Sequence, residues 1–358
     1  MNRLRIAVVG AGHLGTIHAR LLATLNSVEL IGIADPDATA RQRAAETLSV
    51  PARDDYTAFL GHIDAAVVAT PTCHHHAVAT DLLAHGIHVL VEKPITQSVA
   101  EADALIALAH ENDCVLQVGH VERFNPAWNA VLPDIQQPRY IEAVRAGPYS
   151  FRSTDVSIVL DLMIHDIDLI LSLVQSRVAR VEAMGMALLG PRADLAHAHL
   201  LFENGCVAHL NASRVSRQPR RAMRVYGPNA FATIDFATGS ASVTRPSAAV
   251  RNHQIDLTRC PPDRRADATR MIQESLLPER EIAAEPVNAI LAEQSEFVAA
   301  IRSGRQVRVD GSQARAALAV ADQILYSIET HRWNGTNDGP VGPRAVFSTA
   351  DVRPRRAA

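Results

Sequence analysis

Residues 4–15 read LRIAVVGAGHLG. A β-branched apolar run, Arg5–Val9, stops at a glycine, and Gly10, Gly12 and Gly15 fit the spacing G-x-G-x-x-G. Gly10 permits a tight turn, Gly12 lets the backbone approach a pyrophosphate, and Gly15 lets a helix pack close to the strand. The helix that follows offers its first N–H groups and the positive end of its dipole to an anion. Strand, glycine turn and helix together are the context that a dinucleotide site requires. Asp35 ends the second apolar run, Val28–Ala34, roughly 20 residues further on, where a carboxylate accepts from a ribose 2′-hydroxyl. Pro36 and Asp37 follow, with no arginine read as near enough to hold a 2′-phosphate, so NAD is expected rather than NADP.

The same rhythm continues outward. Ala65–Ala69, His88–Val91 and Val115–Val118 read as strands. Leu14–Leu25, Ala38–Leu48, His75–His85 and Val99–Asn112 show helical spacing. Near-continuous apolar strands alternating with helices predict a doubly wound parallel sheet covered on both faces, an α/β Rossmann domain over residues 1–120. The pattern changes after Gly119. A strongly apolar helix over Val159–Val174 is followed by alternating runs from RVARVEAMGMAL to SASVTRP, separated by turns such as ENG and GPN. These predict a C-terminal α+β domain, 121–333, built on a large open, mostly antiparallel meander. Two helices, Glu285–Arg302 and Gly311–His331, close it, and residues 334–358 are expected to be an extended tail. The stretch Asn252–Glu281 shows no clear period.

Composition narrows the function. The 358 residues carry 35 basic and 38 acidic side chains for a net charge of −3, which gives no reason to expect nucleic acid or a membrane surface as partner. No stretch reaches the roughly 18 apolar residues of a membrane span, and the N-terminal apolar run is too short for a signal peptide. The four cysteines, at 73, 114, 206 and 260, form no C-x-x-C pair and read as reduced thiols of a cytoplasmic protein.

Three places carry candidate chemistry. The run GIHVLVEKP ends a strand in Glu92, Lys93 and Pro94. In an open doubly wound sheet, ligands lie beyond the carboxyl ends of the strands, so a lysine there can hydrogen-bond a substrate hydroxyl and favour its alkoxide. In VLDLMIHDIDLIL, Asp161 and His165 stand one helical turn apart, with Asp166 and Asp168 beyond them. A histidine and a carboxylate on an apolar helix are costly unless used or satisfied. His165 suits proton transfer near neutral pH, and Asp161 can orient it or hold a substrate hydroxyl. In ATPTCHHH, Thr70, Pro71 and His75 are expected along the cofactor's edge, with His13, Leu14 and Glu92 completing the cofactor contacts. The three adjacent histidines point about 100° apart on a helix and cannot share one ion, so no metal is expected.

VVGAGHLG, ATPTCHHH, GIHVLVEKP, DLMIHDIDL and the segment from AIRSGRQVRVDG to ILYSI resemble the glucose–fructose oxidoreductase/inositol dehydrogenase/MocA family over residues 4–330. That resemblance implies Lys93 and His165 as the catalytic pair with Asp161 as partner, and NAD-dependent oxidation of a sugar's secondary alcohol to a ketone. One departure stands out: Met163 occupies a place where the family usually has glycine, a bulk that could reshape the pocket. GHVERFNPAW and STDVSIVLDLMIHDID look like the branch acting on nucleotide sugars, the UDP-N-acetylglucosamine 3-dehydrogenases, with Arg123 and Asn125 as substrate donors. Arg214, Arg217, Arg220, Arg221 and Arg224 suggest a diphosphate clamp. An inositol or polyol dehydrogenase is the alternative within the family, and a non-catalytic dinucleotide-binding regulator the alternative outside enzymes. The large sheet needs cover, so a homodimer or tetramer is expected.

Overall fold

The computed structural model describes residues 2–151, 156–285 and 287–345. Ser153, Thr154 and Asp155 of the second quoted stretch, and the tail from 346 onward, lie outside the described residues. The chain forms two compact units, Met1–Asn129 with Glu285–Ala319, and Ala130–Ala284 with Val320–Ala358.

The first unit runs β1 (Leu4–Val9), α1 (His13–Leu22), β2 (Val28–Ala34), α2 (Ala38–Leu48), β3 (Ala52–Arg53), β4 (Ala65–Val68), α3 (Thr72–Ala84), β5 (His88–Glu92), α4 (Val99–Glu111) and β6 (Leu116–Gly119). The short helix α5 (Pro126–Val131) follows. The strands form one parallel sheet in the order β3-β2-β1-β4-β5-β6. Every residue of β4 is buried, as an apolar run covered by helices on both faces must be. The order reverses between β1 and β4, the switch point beside which such sheets bind ligands. Helix caps fix the crossovers: Asp37 accepts from Thr39 and Ala40 N–H at the start of α2, and Ser98 forms a reciprocal capping box with Glu101 at the start of α4.

The second unit holds an eight-stranded sheet, ordered β14-β13-β12-β11-β7-β10-β9-β8. Its strands are β7 (Tyr140–Ala146), β8 (Val178–Met186), β9 (Leu195–Phe202), β10 (Val207–Ser213), β11 (Arg220–Tyr226), β12 (Phe231–Asp235), β13 (Ser240–Thr244) and β14 (Glu279–Ile282). The expected meander is interrupted at its centre. Strand β7, absent from the sequence reading, pairs parallel with β10 and antiparallel with β11. Its inward side chains are Ile141, Ala143 and Arg145, so a charge at the third inward position masks the alternation. Arg145 is 3% exposed and grips Asp166 through Nη2 at 2.8 Å and Nε at 3.2 Å. Asp166 belongs to α6 (Ile164–Val174), which continues directly from a π-helical turn, Val159–Met163. The buried ion pair therefore ties this helix to the sheet.

Between β13 and β14 lie α7 (Ala248–Arg251) and α8 (Arg265–Met271), and the chain closes with α9 (Ala289–Ser303) and α10 (Gly311–Thr330). Helix α9, expected with the second domain, packs in the first unit: Phe297 and Val298 share a core cluster with Ala19, Leu22 and Val28. No described helix is long and apolar enough to cross a membrane.

Candidate active site

The glycine turn is built as its spacing demands. Gly10 has φ +105°, and a Cβ there would lie 2.5 Å from Ala69 O, while a Cβ at Gly15 would lie 1.9 Å from Gly10 O. Only glycine permits those approaches. A Cβ at Gly12, by contrast, would meet nothing within 4 Å. Among the described residues no side chain caps α1, so the N–H groups at its start can serve an anion. Thr70, just after β4, has a buried Oγ1 without a partner among the described residues. An open glycine cradle, an uncapped helix start and an unsatisfied hydroxyl fit a dinucleotide.

Asp35 lies where its proposed role requires it, at the end of β2. Its Oδ2 accepts from Ala11 N–H at 2.6 Å and its Oδ1 from Asp37 N–H at 2.8 Å, which leaves further lone pairs for a ribose. The expectation that no arginine stands near needs correction. Arg41, on the first turn of α2, donates through Nη1 to the carbonyl oxygens of Asp35 and Pro36, at 2.7 and 3.2 Å. Helical geometry returns a residue six positions away to the strand end, which linear proximity does not reveal.

His75 is buried with both ring nitrogens against carbonyl oxygens, Nδ1 to Pro94 at 2.8 Å and Nε2 to Thr70 at 2.9 Å. It thus joins the loop after β4 to the loop after β5. Burial pulls this imidazole below its ordinary range, against the opposing pull of the two carbonyls and Glu92. Because the folded chain then takes up the proton at lower pH than the unfolded chain, His75 stabilises above about pH 6.5 and its contribution is lost as the pH falls through that value and below. Thermal unfolding between about pH 7.5 and about pH 5.5 should show a falling Tm, flattened in His75→Gln.

Lys93 is half-buried directly beyond β5, and its N–H donates to Glu92 Oε2 at 3.2 Å. Arg123 is buried in the turn after β6, where its carbonyl accepts from Arg308. Asn125 Oδ1 accepts from Ala127 N–H and its Nδ2 donates to Glu122, so the side chain also caps α5.

In the second unit, Asp161 lies in the π-helical turn and His165 in the first turn of α6, both half-buried. A π turn inside a helix is an arrangement frequent at functional sites. Met163 is fully buried in this unit's core, so its bulk is absorbed by packing. Asp168 is buried on the same helix. The arginine run is divided. Arg214 is buried and donates to Val156 O, with Asp194 nearby. Arg220 and Arg221 are exposed at the start of β11, and strand alternation sends them to opposite faces, so they do not form one clamp. The buried Arg145, His18 and Gln294 are not among the residues expected from the sequence: Gln294 stands between Glu293 and Ser295, and the burial of each shows only once its partner is known.

The comparisons with known proteins bear on the fold and the family. Residues 4–120 match the model of an oxidoreductase family with an NAD-binding Rossmann fold, and residues 135–233 match the GFO/IDH/MocA C-terminal domain. The chain belongs to the GFO/IDH/MocA oxidoreductase family. A UDP-N-acetylglucosamine 3-dehydrogenase of Acidithiobacillus ferrooxidans is 35% identical over 337 residues, 92% of this chain and 98% of that protein. A solved structure of the enzyme of that name superposes with a TM-score of 0.80 at 34% identity, covering 91% of this chain and 98% of the other. A scyllo-inositol 2-dehydrogenase (NAD(+)) of Bacillus subtilis is 29% identical, over 60% of this chain and 68% of its own length. Family membership makes the chain a dinucleotide-dependent oxidoreductase.

Proposed function

We propose that the chain is an NAD-dependent dehydrogenase that oxidises the C3 hydroxyl of UDP-N-acetylglucosamine to a ketone. The observation that carries this reading is the near-complete match, at 35% identity, to a UDP-N-acetylglucosamine 3-dehydrogenase. The inositol dehydrogenase of Bacillus subtilis covers less of the chain at lower identity. Gly10, Gly12, His13, Leu14 and Gly15 would hold the pyrophosphate, Asp35 the adenosine ribose, and Thr70, Pro71, His75, Glu92 and Lys93 the neighbourhood of the nicotinamide. Bound NAD supplies the hydride acceptor. His165 takes the hydroxyl proton, oriented by Asp161. The Lys93 ammonium stabilises the developing alkoxide, and Arg123 and Asn125 donate to the sugar nucleotide. A homo-oligomer belongs to the same proposal, with the half-buried rings of Tyr140, His199, His209 and Tyr226 in contact on one face of the large sheet.

The choice of NAD over NADP rests on the Asp35 carboxylate, which accepts from a 2′-hydroxyl and repels a 2′-phosphate. Losing a hydrogen bond to a charged group weakens binding by about tenfold or more. Asp35→Ala should raise KM for NAD by about that factor and narrow the preference over NADP, as steady-state kinetics with both cofactors would show. The function itself is tested by a panel of nucleotide sugars and polyols, following NADH absorbance. Activity on inositol with UDP sugars inert would overturn the substrate assignment.

A further inference from the structure

His18 lies on α1, the helix that the glycine turn opens, and is fully buried. Glu293 and Gln294 of α9 are fully buried beside it, and Glu92 at the end of β5 is 7% exposed. Gln294 Nε2 lies 3.0 Å from His18 O and 2.8 Å from His18 Nδ1. A backbone carbonyl only accepts, so the amide nitrogen, not the amide oxygen, faces His18. The same nitrogen then donates to Nδ1, which is therefore a lone pair, and the ring proton sits on Nε2. Nε2–H donates to Glu92 Oε1 at 2.8 Å, while Glu92 Oε2 accepts the Lys93 N–H at 3.2 Å. Gly119, paired with Glu92 across β5 and β6, leaves room for this carboxylate: a Cβ there would lie 2.9 Å from the carboxyl carbon.

Ligand-type atoms of His18, Glu92 and Glu293 lie within 4.8 Å of one another, a spacing that would suit a cation. The hydrogen bonds decide otherwise, because Nδ1 is taken by Gln294 and Nε2 carries its proton toward Glu92. The cluster is built to hold a carboxylate. Burial works to raise the Glu92 carboxyl, yet the His18 hydrogen bond and the electrostatic pull of His18 and Lys93 hold it below the ordinary range.

We infer that His18 is a positioning residue for Lys93: its Nε2–H fixes the Glu92 carboxylate, which in turn holds the backbone N–H from which the lysine projects. The link joins the helix at the pyrophosphate turn, the strand end bearing the lysine, and α9 from the far end of the sequence. It rests on the catalytic role proposed above for Lys93. Without the ring donor, one carboxylate oxygen loses its partner in a buried place, and the carboxylate is free to turn away from the Lys93 amide.

The test compares His18→Leu, His18→Gln and Lys93→Ala in the full-length protein, with UDP-N-acetylglucosamine and NAD as probes. His18→Leu should lower kcat by about tenfold or more, with KM for both probes nearly unchanged. His18→Gln, whose amide N–H reaches the place of Nε2–H, should restore most of it. Wild-type kcat in a folded His18→Leu protein overturns the inference. So does equal impairment of His18→Gln and His18→Leu, which would mark a packing role only. If His18→Leu does not fold, Gln294→Leu takes its place: the inference expects a lowered kcat because Nδ1 is no longer held as acceptor, and an unchanged kcat overturns it. If Lys93→Ala itself keeps full turnover, the role of the lysine fails; if it loses turnover while His18→Leu does not, the positioning role alone fails.

Discussion

Lys93→Ala should lower kcat with the nucleotide sugar by about 10²-fold or more, the scale of a positioned acid–base or alkoxide-stabilising group. The expectation rests on placement. The lysine follows β5 immediately, at the carboxyl end of the parallel sheet that bears the glycine turn. Its backbone N–H is tied to Glu92 Oε2, so the residue starts from a fixed point. With NAD held, as proposed, mainly by the glycine turn and Asp35, KM for NAD should move far less than kcat. That split separates a group acting at the transition state from one that only binds. Lys93→Arg should not rescue, because a planar fork cannot replace a compact ammonium at one hydroxyl. Stopped-flow and steady-state NADH absorbance measure both quantities. Near-wild-type turnover in Lys93→Ala would remove the lysine from the mechanism.

Arg145→Ala should destabilise the second unit by about 3–5 kcal/mol, the usual consequence of removing one member of a buried ion pair. The Arg145 and Asp166 side chains are 4% and 3% exposed and meet at 2.8 Å. Alanine at 145 removes the guanidinium that grips the Asp166 carboxylate under the sheet. Replacing both partners with apolar residues of similar size, Arg145→Met with Asp166→Leu, should recover most of the loss, since the pair's own attraction largely offsets its desolvation. Urea unfolding curves give the comparison. A loss in Arg145→Ala below about 1 kcal/mol would show that the pair is dispensable. Because α6 begins at the π turn that carries Asp161, the folded remainder of an Arg145→Ala sample should also show reduced kcat.

The parallel sheet was legible because its strands are short apolar runs bounded by turns. Val28–Ala34 and Ala38–Leu48 coincide at both ends with β2 and α2. Strand β3 has two residues, too few for any period. Strand β14, Glu279–Ile282, has no buried residue and shows no alternation, as an exposed edge allows. Strand β7 was hidden by Arg145 on its inward face. The candidate chemical groups were legible where a motif has a fixed order, as in GAGHLG and the EKP run after β5. What the sequence could not display was partnership between distant residues. Gln294 meets His18 across 276 positions, and nothing in either neighbourhood announces it. Arg41 reaches back to the Asp35 carbonyl from the first turn of α2, which a linear search for a neighbouring arginine passes over. Likewise Arg220 and Arg221, adjacent in sequence, part company once they enter a strand.

In the proposed reaction a hydride passes from C3 of the nucleotide sugar to NAD. UDP-N-acetylglucosamine carrying deuterium at C3, incubated with the protein and NAD, lets mass spectrometry of the nicotinamide product follow that transfer. The expected product is NADH that carries the deuterium, formed together with a 3-keto sugar nucleotide. Unlabelled NADH, or no reduction of NAD at all, would contradict the proposed reaction.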